Sequence, residues 1–392
     1  MRLVEFREID NKRLSLMEMA RIQHAEDLIF WEGSNGASRA IQQLQALTGT
    51  SKALTIKWDG SPAVVFGRNP NGEFIFTDKS GFIAKGYDGR ATNADDLEGA
   101  IMQRAKGDKA QMKGYKQYAS KMKSIFDVMQ NAVSETFQGY LVGDMLFFDT
   151  PKKSGNAYVF KPNVVEYKVD ANSALGQRIG QSKVGVVIHN LMSEKGRTMP
   201  AKKLDMIQSA EVLAIPPTTV NKKEPIQSKG VDQLKGLLQD SGKNIDKILD
   251  KNTLAQMKLV DLPNILYTYT NSKVDSGMKN LGKDFIQWLQ SSTVSQPKKI
   301  KITEYVKQNL NGFSSLWRLV GGIMQVKDSI IQQLDTAQGD VQATVNGRPG
   351  GEGYVLNTPQ GNIKLVKRSG FTRANRAINR YGEQNESKRI YY

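Results

Sequence analysis

Cysteine is absent from the 392 residues, and histidine occurs only twice, at His24 and His189. The first absence excludes disulfides, thiolate nucleophiles and zinc–thiolate sites together. Two histidines equip a chain poorly for a histidine-ligated metal, and each reads as a hydrogen-bonded structural residue. If a metal is used, Mg²⁺ is expected. Long apolar runs are missing as well: MRLVEFREIDNKRLSL has no apolar signal segment, and no stretch approaches the roughly 18 apolar residues that span a bilayer. The expectation is a cytoplasmic, intracellular protein without a membrane partner. Acidic residues are also in deficit, 39 Asp plus Glu against 55 Lys plus Arg, for a formal net charge of +16. Such a surplus favours a polyanionic partner, nucleic acid first, and speeds its capture.

What is present is a change of period along the chain. Apolar residues recur at helical spacing from Leu14 to Phe30 and again from Ala37 to Leu47. Then ALTIK, AVVFG and EFIFTD alternate as strands do, separated by the turn signals DGSP and RNPNG, which predicts an antiparallel meander. Helical spacing returns over Ala94–Arg104 and Tyr115–Glu135, followed by the β-rich YLVGDMLFF, NVVEYKV and KVGVVIH. Past about Asn190 the texture becomes Lys, Gln, Asn and Ser with periodic Leu, Ile and Met, which predicts helices to about Gln338. GEGYVL and NIKLVK, hinged by NTPQGN, then read as a closing hairpin. From Lys364 to Tyr392 there are eight Lys or Arg against two Glu.

The stretch with the most chemistry is TIKWDGSPAVVFG. Lys57 ends a β-run and is followed by Asp59-Gly60 at a tight turn, so the lysine is held rigidly. A lysine that is buried or flanked by cations can lose its proton and attack phosphorus. K-x-D-G alone is equally the sequence of a surface turn.

The motif does not stand alone, and in the order of its motifs the chain resembles the covalent nucleotidyltransferases: ATP-dependent DNA ligases, RNA ligases and mRNA capping enzymes, though these rarely separate their third and fourth motifs by so much chain. Lys57, Asp59 and Gly60 match the first motif, whose lysine the resemblance makes the carrier of AMP. YLVGDMLFF is similar to the third motif and puts Asp144, where the family usually has Glu, on the nucleotide sugar or the metal. NVVEYKV resembles the next, in which a ring stacks on the base; this implies Tyr167, with Phe160 as the alternate. GEGYVL matches the fourth motif and makes Glu352 a metal-organising carboxylate. IKLVK matches the fifth, with Lys364 and Lys367 aimed at the α-phosphate. These two lie three apart, and on one straight strand they point to opposite faces, with Lys367 preferred.

The resemblance implies an α+β fold in which antiparallel sheets form a nucleotide cleft, ATP-grasp-like, with a large helical insert. It divides the chain into N-terminal helices (1–49), a nucleotidyltransferase core (50–195 and 345–370), a helical insert as candidate nucleic-acid clamp (196–344) and a basic tail (371–392). It implies ATP and Mg²⁺ as cofactors. The activity it implies is sealing of 5′-phosphate/3′-hydroxyl breaks in nicked duplex DNA or RNA, by a monomer of viral type. Too few residues follow Gly370 for the oligonucleotide-binding barrel of capping enzymes and DNA ligases, and Ser61-Pro62 after K-x-D-G is nearer to RNA ligases. Arg373, Arg376 and Arg380 are candidate phosphate contacts in the tail. Two other classes stay open: adenylylation of a protein or small molecule, and a binding module that keeps the fold without catalysis.

Overall fold

The structure is a computed structural model that describes residues 23–47, 54–82, 89–105, 109–201, 203–220, 225–227, 229–335, 341–358, 361–368 and 370. Its first strands are β1 (Gln23–His24), β2 (Leu54–Ile56), β3 (Ala63–Arg68) and β4 (Phe74–Asp78). Next come β5 (Gly139–Phe147), β6 (Lys152–Ser154), β7 (Ala157–Phe160), β8 (Val165–Asp170) and β9 (Val184–Met192). The series continues with β10 (Thr198–Pro200), β11 (Val212–Ile215) and β12 (Thr218–Thr219). It ends with β13 (Val341–Val345), β14 (Arg348–Pro349), β15 (Tyr354–Thr358) and β16 (Gly361–Leu365).

These strands make three sheets, ordered β1-β16-β15-β2-β12, β10-β9-β5-β3-β4 with β11 beside β9, and β14-β13-β8-β7-β6. Most neighbours are antiparallel; β1 with β16 and β11 with β9 are parallel. The class is therefore mixed α+β with several antiparallel sheets. In β8 the alternation expected of a half-covered strand is plain: Val165, Tyr167 and Val169 are buried while Lys168 and Asp170 are exposed. β3 and β4 read instead as continuous apolar runs because both of their faces are covered. Val64, Phe66 and Phe76 pack with the helices Ala94–Met102, Lys109–Ser124 and Phe126–Ala132, while Val65 and Ile75 meet Tyr140 and Met192.

The largest core is helical. Leu28, Phe30, Ala40 and Leu44 of the helix Leu28–Ala46 pack with Ile245 and Ile248 of Val231–Leu249 and with Leu316, Val320 and Ile323 of Leu310–Asp335. The same core holds Leu54, Leu356, Ile363 and Leu365, one face of the first sheet. Two expectations about domain limits change here. The segment from 196 begins with strands rather than helices, since β10, β11 and β12 join existing sheets and the first helix after them starts at Val231. The leading helix is no separate unit, because its apolar stripe is buried by the insert. The expected helix from Leu14 lies outside the described residues up to Ile22. Among the described residues, no helix is long and apolar enough to cross a membrane.

Candidate active site

Lys57 follows β2, and Glu352 precedes β15. The antiparallel register sets Ile56 opposite Tyr354, so the two strand ends coincide and residues 295 apart in sequence become neighbours. The Lys57 N–H donates to the Gly353 carbonyl at 2.9 Å, and the Lys57 ammonium is ion-paired with the Glu352 carboxylate. Burial disfavours charge on Lys57, but Glu352 outweighs it, with smaller help from Asp144 and Asp59, and the amine is held above the usual lysine range. Glu352 is pushed up, first by burial and then by Asp59 and Asp144, against the pull of Lys57. Glu352 is thus the acid in contact with the amine, while Asp144 and Asp59 add negative charge at longer range.

The turn after Lys57 is built on Asp59. Its carboxylate accepts from Asn163 Nδ2 at 2.9 Å and from the Val164 and Val165 N–H groups at 2.7 and 2.9 Å. Burial still raises this carboxyl above its ordinary value. Asp59 therefore joins the first motif to the start of β8 and holds Lys57 in place from behind. Gly60 is required by contact: a Cβ there would lie 2.6 Å from the Asp144 Cβ and 2.9 Å from the Met145 carbonyl oxygen. The turn rests directly on β5, which brings Asp144 beside it.

The two lysines of the last motif do lie on opposite faces, but in the reverse of the preferred assignment. Lys364 pairs across β16 with Val355 and His24, in the row that continues to Thr55. Thr55 and Lys57 share a face by the two-residue period, so Lys364 faces the same side. Burial first, and then the Lys57 charge, lower its pKa to about 8. Lys367 is past the end of β16 and turns to Asp335 at the end of the long helix, 3.4 Å away, beside Tyr354.

Tyr167 and Phe160 do not present open rings. Tyr167 is 1% exposed, with Trp58 at 4.7 Å and Phe160 at 5.4 Å between ring centroids, and its Oη accepts the Asp59 N–H at 2.6 Å. Phe160 packs also on Phe147 at 5.5 Å. Both are packing residues beneath the Lys57 turn rather than stacking platforms. Arg373, Arg376 and Arg380 lie outside the described residues.

Two groups near the site escaped the sequence reading. His189 Nε2 lies 2.9 Å from an Asp144 oxygen. Behind Lys364 is a buried ionic network: Lys327 donates to Glu26 at 2.6 Å, Arg368 Nε approaches Glu26 at 2.9 Å, and its other end pairs with Asp27. Lys327 and Glu26 are both fully inaccessible. Burial raises Asp27 to about 6 despite Arg368, whereas Lys327 and Arg368 together carry Glu26 below its ordinary value against its burial. Burial, followed by the Arg368 and Lys364 charges, takes His24 well below the usual histidine range. A lysine on the apolar stripe Ile323, Lys327, Ile330, Leu334 was the available signal for this network.

Among the described residues no group of three or more His, Asp or Glu is gathered to hold a metal ion on its own. The donors are nevertheless of the kind Mg²⁺ takes, hard carboxylate oxygens, and Mg²⁺ usually uses one or two of these together with substrate phosphates. Glu352 and Asp144 are two such oxygen donors.

A family model matches residues 20–380, and the chain belongs to that family, described as a family of unknown function (DUF6267). No curated protein and no solved structure matches the chain.

Proposed function

We propose that this chain is an ATP-dependent polynucleotide ligase that seals 5′-phosphate/3′-hydroxyl breaks in DNA or RNA through an adenylate on Lys57. The observation that carries the reading is the convergence of Lys57, Glu352, Asp144 and Lys364 from three separated segments onto one partly covered site at the junction of two sheets. A half-buried amine paired with one carboxylate, with two further acids nearby and a second lysine on the same face, offers the groups that nucleotidyl transfer needs.

In this reading the Glu352 carboxylate, already hydrogen-bonded to Nζ, takes one proton from the Lys57 ammonium, and the neutral amine attacks the α-phosphorus of ATP. A nitrogen–phosphorus bond forms, the bond to pyrophosphate breaks, and the second proton leaves with the pyrophosphate. Lys364 adds positive charge on the face where the phosphates bind, and Asp59 keeps the lysine from drifting. Glu352 and Asp144 would hold Mg²⁺, which when bound neutralises triphosphate charge. AMP then passes to a 5′-phosphate and is displaced by a 3′-hydroxyl. The +16 charge supports a polynucleotide rather than a small-molecule acceptor, bound as a monomer through phosphate contacts that include the basic tail.

The test is incubation with Mg²⁺ and α-labelled ATP. Label should remain on the chain through a bond that is acid-labile and hydroxylamine-sensitive, and Lys57→Ala should abolish it. Equal labelling of the alanine variant would remove Lys57 as the nucleophile. A panel of nicked DNA, nicked RNA and hybrids then identifies the acceptor.

A further inference from the structure

Beyond the residues that the resemblance supplies, we infer that His189 is a positioning residue of this site: it orients the Asp144 carboxylate and thereby sets how readily the site takes up a magnesium–nucleotide. The inference rests on the adenylation reading. Its evidence lies in how β5 and β9 are paired. Val142 lies opposite Asn190, but the next residue, Gly143, lies opposite Ile188, so His189 is an extra residue at a bulge. Bulges bend a strand and re-aim a side chain, and here the re-aimed side chain is the imidazole. Two features fix the bulge. The His189 carbonyl accepts the Ala201 N–H at 3.1 Å, and Gly143 admits the close approach of β9, since a Cβ there would fall 2.0 Å from the Val187 carbonyl oxygen.

The pair this creates is neither a core contact nor a free surface pair. The His189 and Asp144 side chains are 33% and 22% exposed, which leaves both able to meet a bound molecule. An exposed ion pair adds about 0–1 kcal/mol to stability, so stability alone gives little reason for a bulge. The other two acids of the site are already tethered, Asp59 by three hydrogen bonds and Glu352 by Lys57. Among the described residues His189 is the hydrogen-bond partner of Asp144. Gly60 meets the Asp144 side chain at its Cβ, so without His189 the carboxylate beyond it would be free to rotate toward water. Groups that orient a metal-binding side chain typically change metal affinity 10–100-fold when removed.

The experiment compares the parent with His189→Ala, His189→Gln and Asp144→Ala. The Gln side chain carries an N–H donor at nearly the reach of imidazole Nε2. Lys57 labelling is followed across Mg²⁺ concentrations, and ATP binding is measured by calorimetry with and without Mg²⁺. The expected result is a 10–100-fold higher half-saturating Mg²⁺ concentration for His189→Ala, matched by weaker binding of ATP with Mg²⁺ and unaltered binding of ATP without it. His189→Gln should recover most of this, and adding His189→Ala to Asp144→Ala should change nothing more. Nitrogen-15 spectra of the two histidines give a reading that survives an unstable alanine variant. The signal missing in His189→Gln should show a proton on Nε2 in the parent and should shift in Asp144→Asn. A parent that labels at Lys57 beside a His189→Ala that keeps the parent's Mg²⁺ requirement overturns this inference alone. So does a histidine signal indifferent to Asp144→Asn. A parent that neither labels nor binds ATP removes the adenylation reading and this one with it.

Discussion

Replacing Glu352 by Gln keeps the volume of the side chain and deletes its charge, and the structure predicts two opposite effects of this one change. A unit charge pair about 4 Å apart is worth roughly 4 kcal/mol in surroundings of effective dielectric about 20. The Lys57 and Glu352 side chains are 21% and 15% exposed, so water recovers part of that energy. Even half of it is more than the 1.4 kcal/mol that makes a tenfold difference in the proton equilibrium. With Glu352 gone, burial becomes the dominant influence on the amine, and it acts to drive the proton off. The neutral fraction of Lys57 at pH 8 should therefore rise about 10- to 100-fold. Competitive acetylation with isotopically distinct anhydrides, read by mass spectrometry on the peptide bearing Lys57, measures that fraction directly. If Glu352 has the roles proposed for it, ATP-dependent labelling of the same residue should meanwhile fall by about 100-fold or more. Because unfolding would also release the amine from Glu352, the variant's circular dichroism and urea midpoint must match the parent's for this pair of effects to be assigned to the lost charge. If Lys57 in the Gln variant acetylates at the parent's rate, the ion pair does not govern the amine, and the electrostatic account of the site is refuted.

Lys364→Met tests the second lysine through pH. Its proton leaves at about 8 in the folded chain and near the ordinary lysine value in the unfolded chain, so the unfolded state binds more protons between them and stability rises with pH across that window. The methionine variant should be more stable than the parent by up to about 3 kcal/mol at pH 7, with the gain gone above about pH 10.5, as urea unfolding at several pH values would show. An advantage that does not change with pH would mean the lysine is solvated. Tyr167→Phe leaves the Asp59 N–H buried without its acceptor and should cost about 1–3 kcal/mol in thermal or urea unfolding. No loss would mean that this hydrogen bond does not form. Lys327→Met strips Glu26 of one of its two cations inside the core and should cost about 3–5 kcal/mol, partly recovered by adding Glu26→Gln. A loss under about 1 kcal/mol would show that water reaches the network.

The strands of the core were legible because period-two alternation and the turns DGSP and RNPNG are local properties, and β2, β3 and β4 fall where those signals put them; the expected meander is only β3–β4, since β2 pairs with β15 and β12 in another sheet. Register is not local. The choice between Lys364 and Lys367 depended on where β16 ends and on what each face covers, and only the pairing with β15 and β1 shows that one lysine faces Lys57 while the other meets Asp335. Tyr167 was misread for a related reason: an aromatic residue on a strand is suited equally to stacking a ligand and to filling a core, and Trp58 decides between them. Short strands such as β10 and β12 were hidden in polar sequence, since pairing to a neighbour, rather than composition, makes them strands. His189 was invisible because a bulge is one residue in excess in a pairing that the sequence does not display.

The buried network also imposes an order on synthesis. Glu26 and Asp27 are made early, and the cations that neutralise them, Lys327 and Arg368, follow by 301 and 341 residues. Until both have been added, the growing chain holds two acids that cannot enter a dry interior without a large cost. The helix Leu28–Ala46 beside them therefore cannot settle into its final packing, and Lys57, made 295 residues before Glu352, has no partner. Each half of the site waits for the same late segment. A growing chain therefore cannot balance the charge of this core until residue 368 has been added.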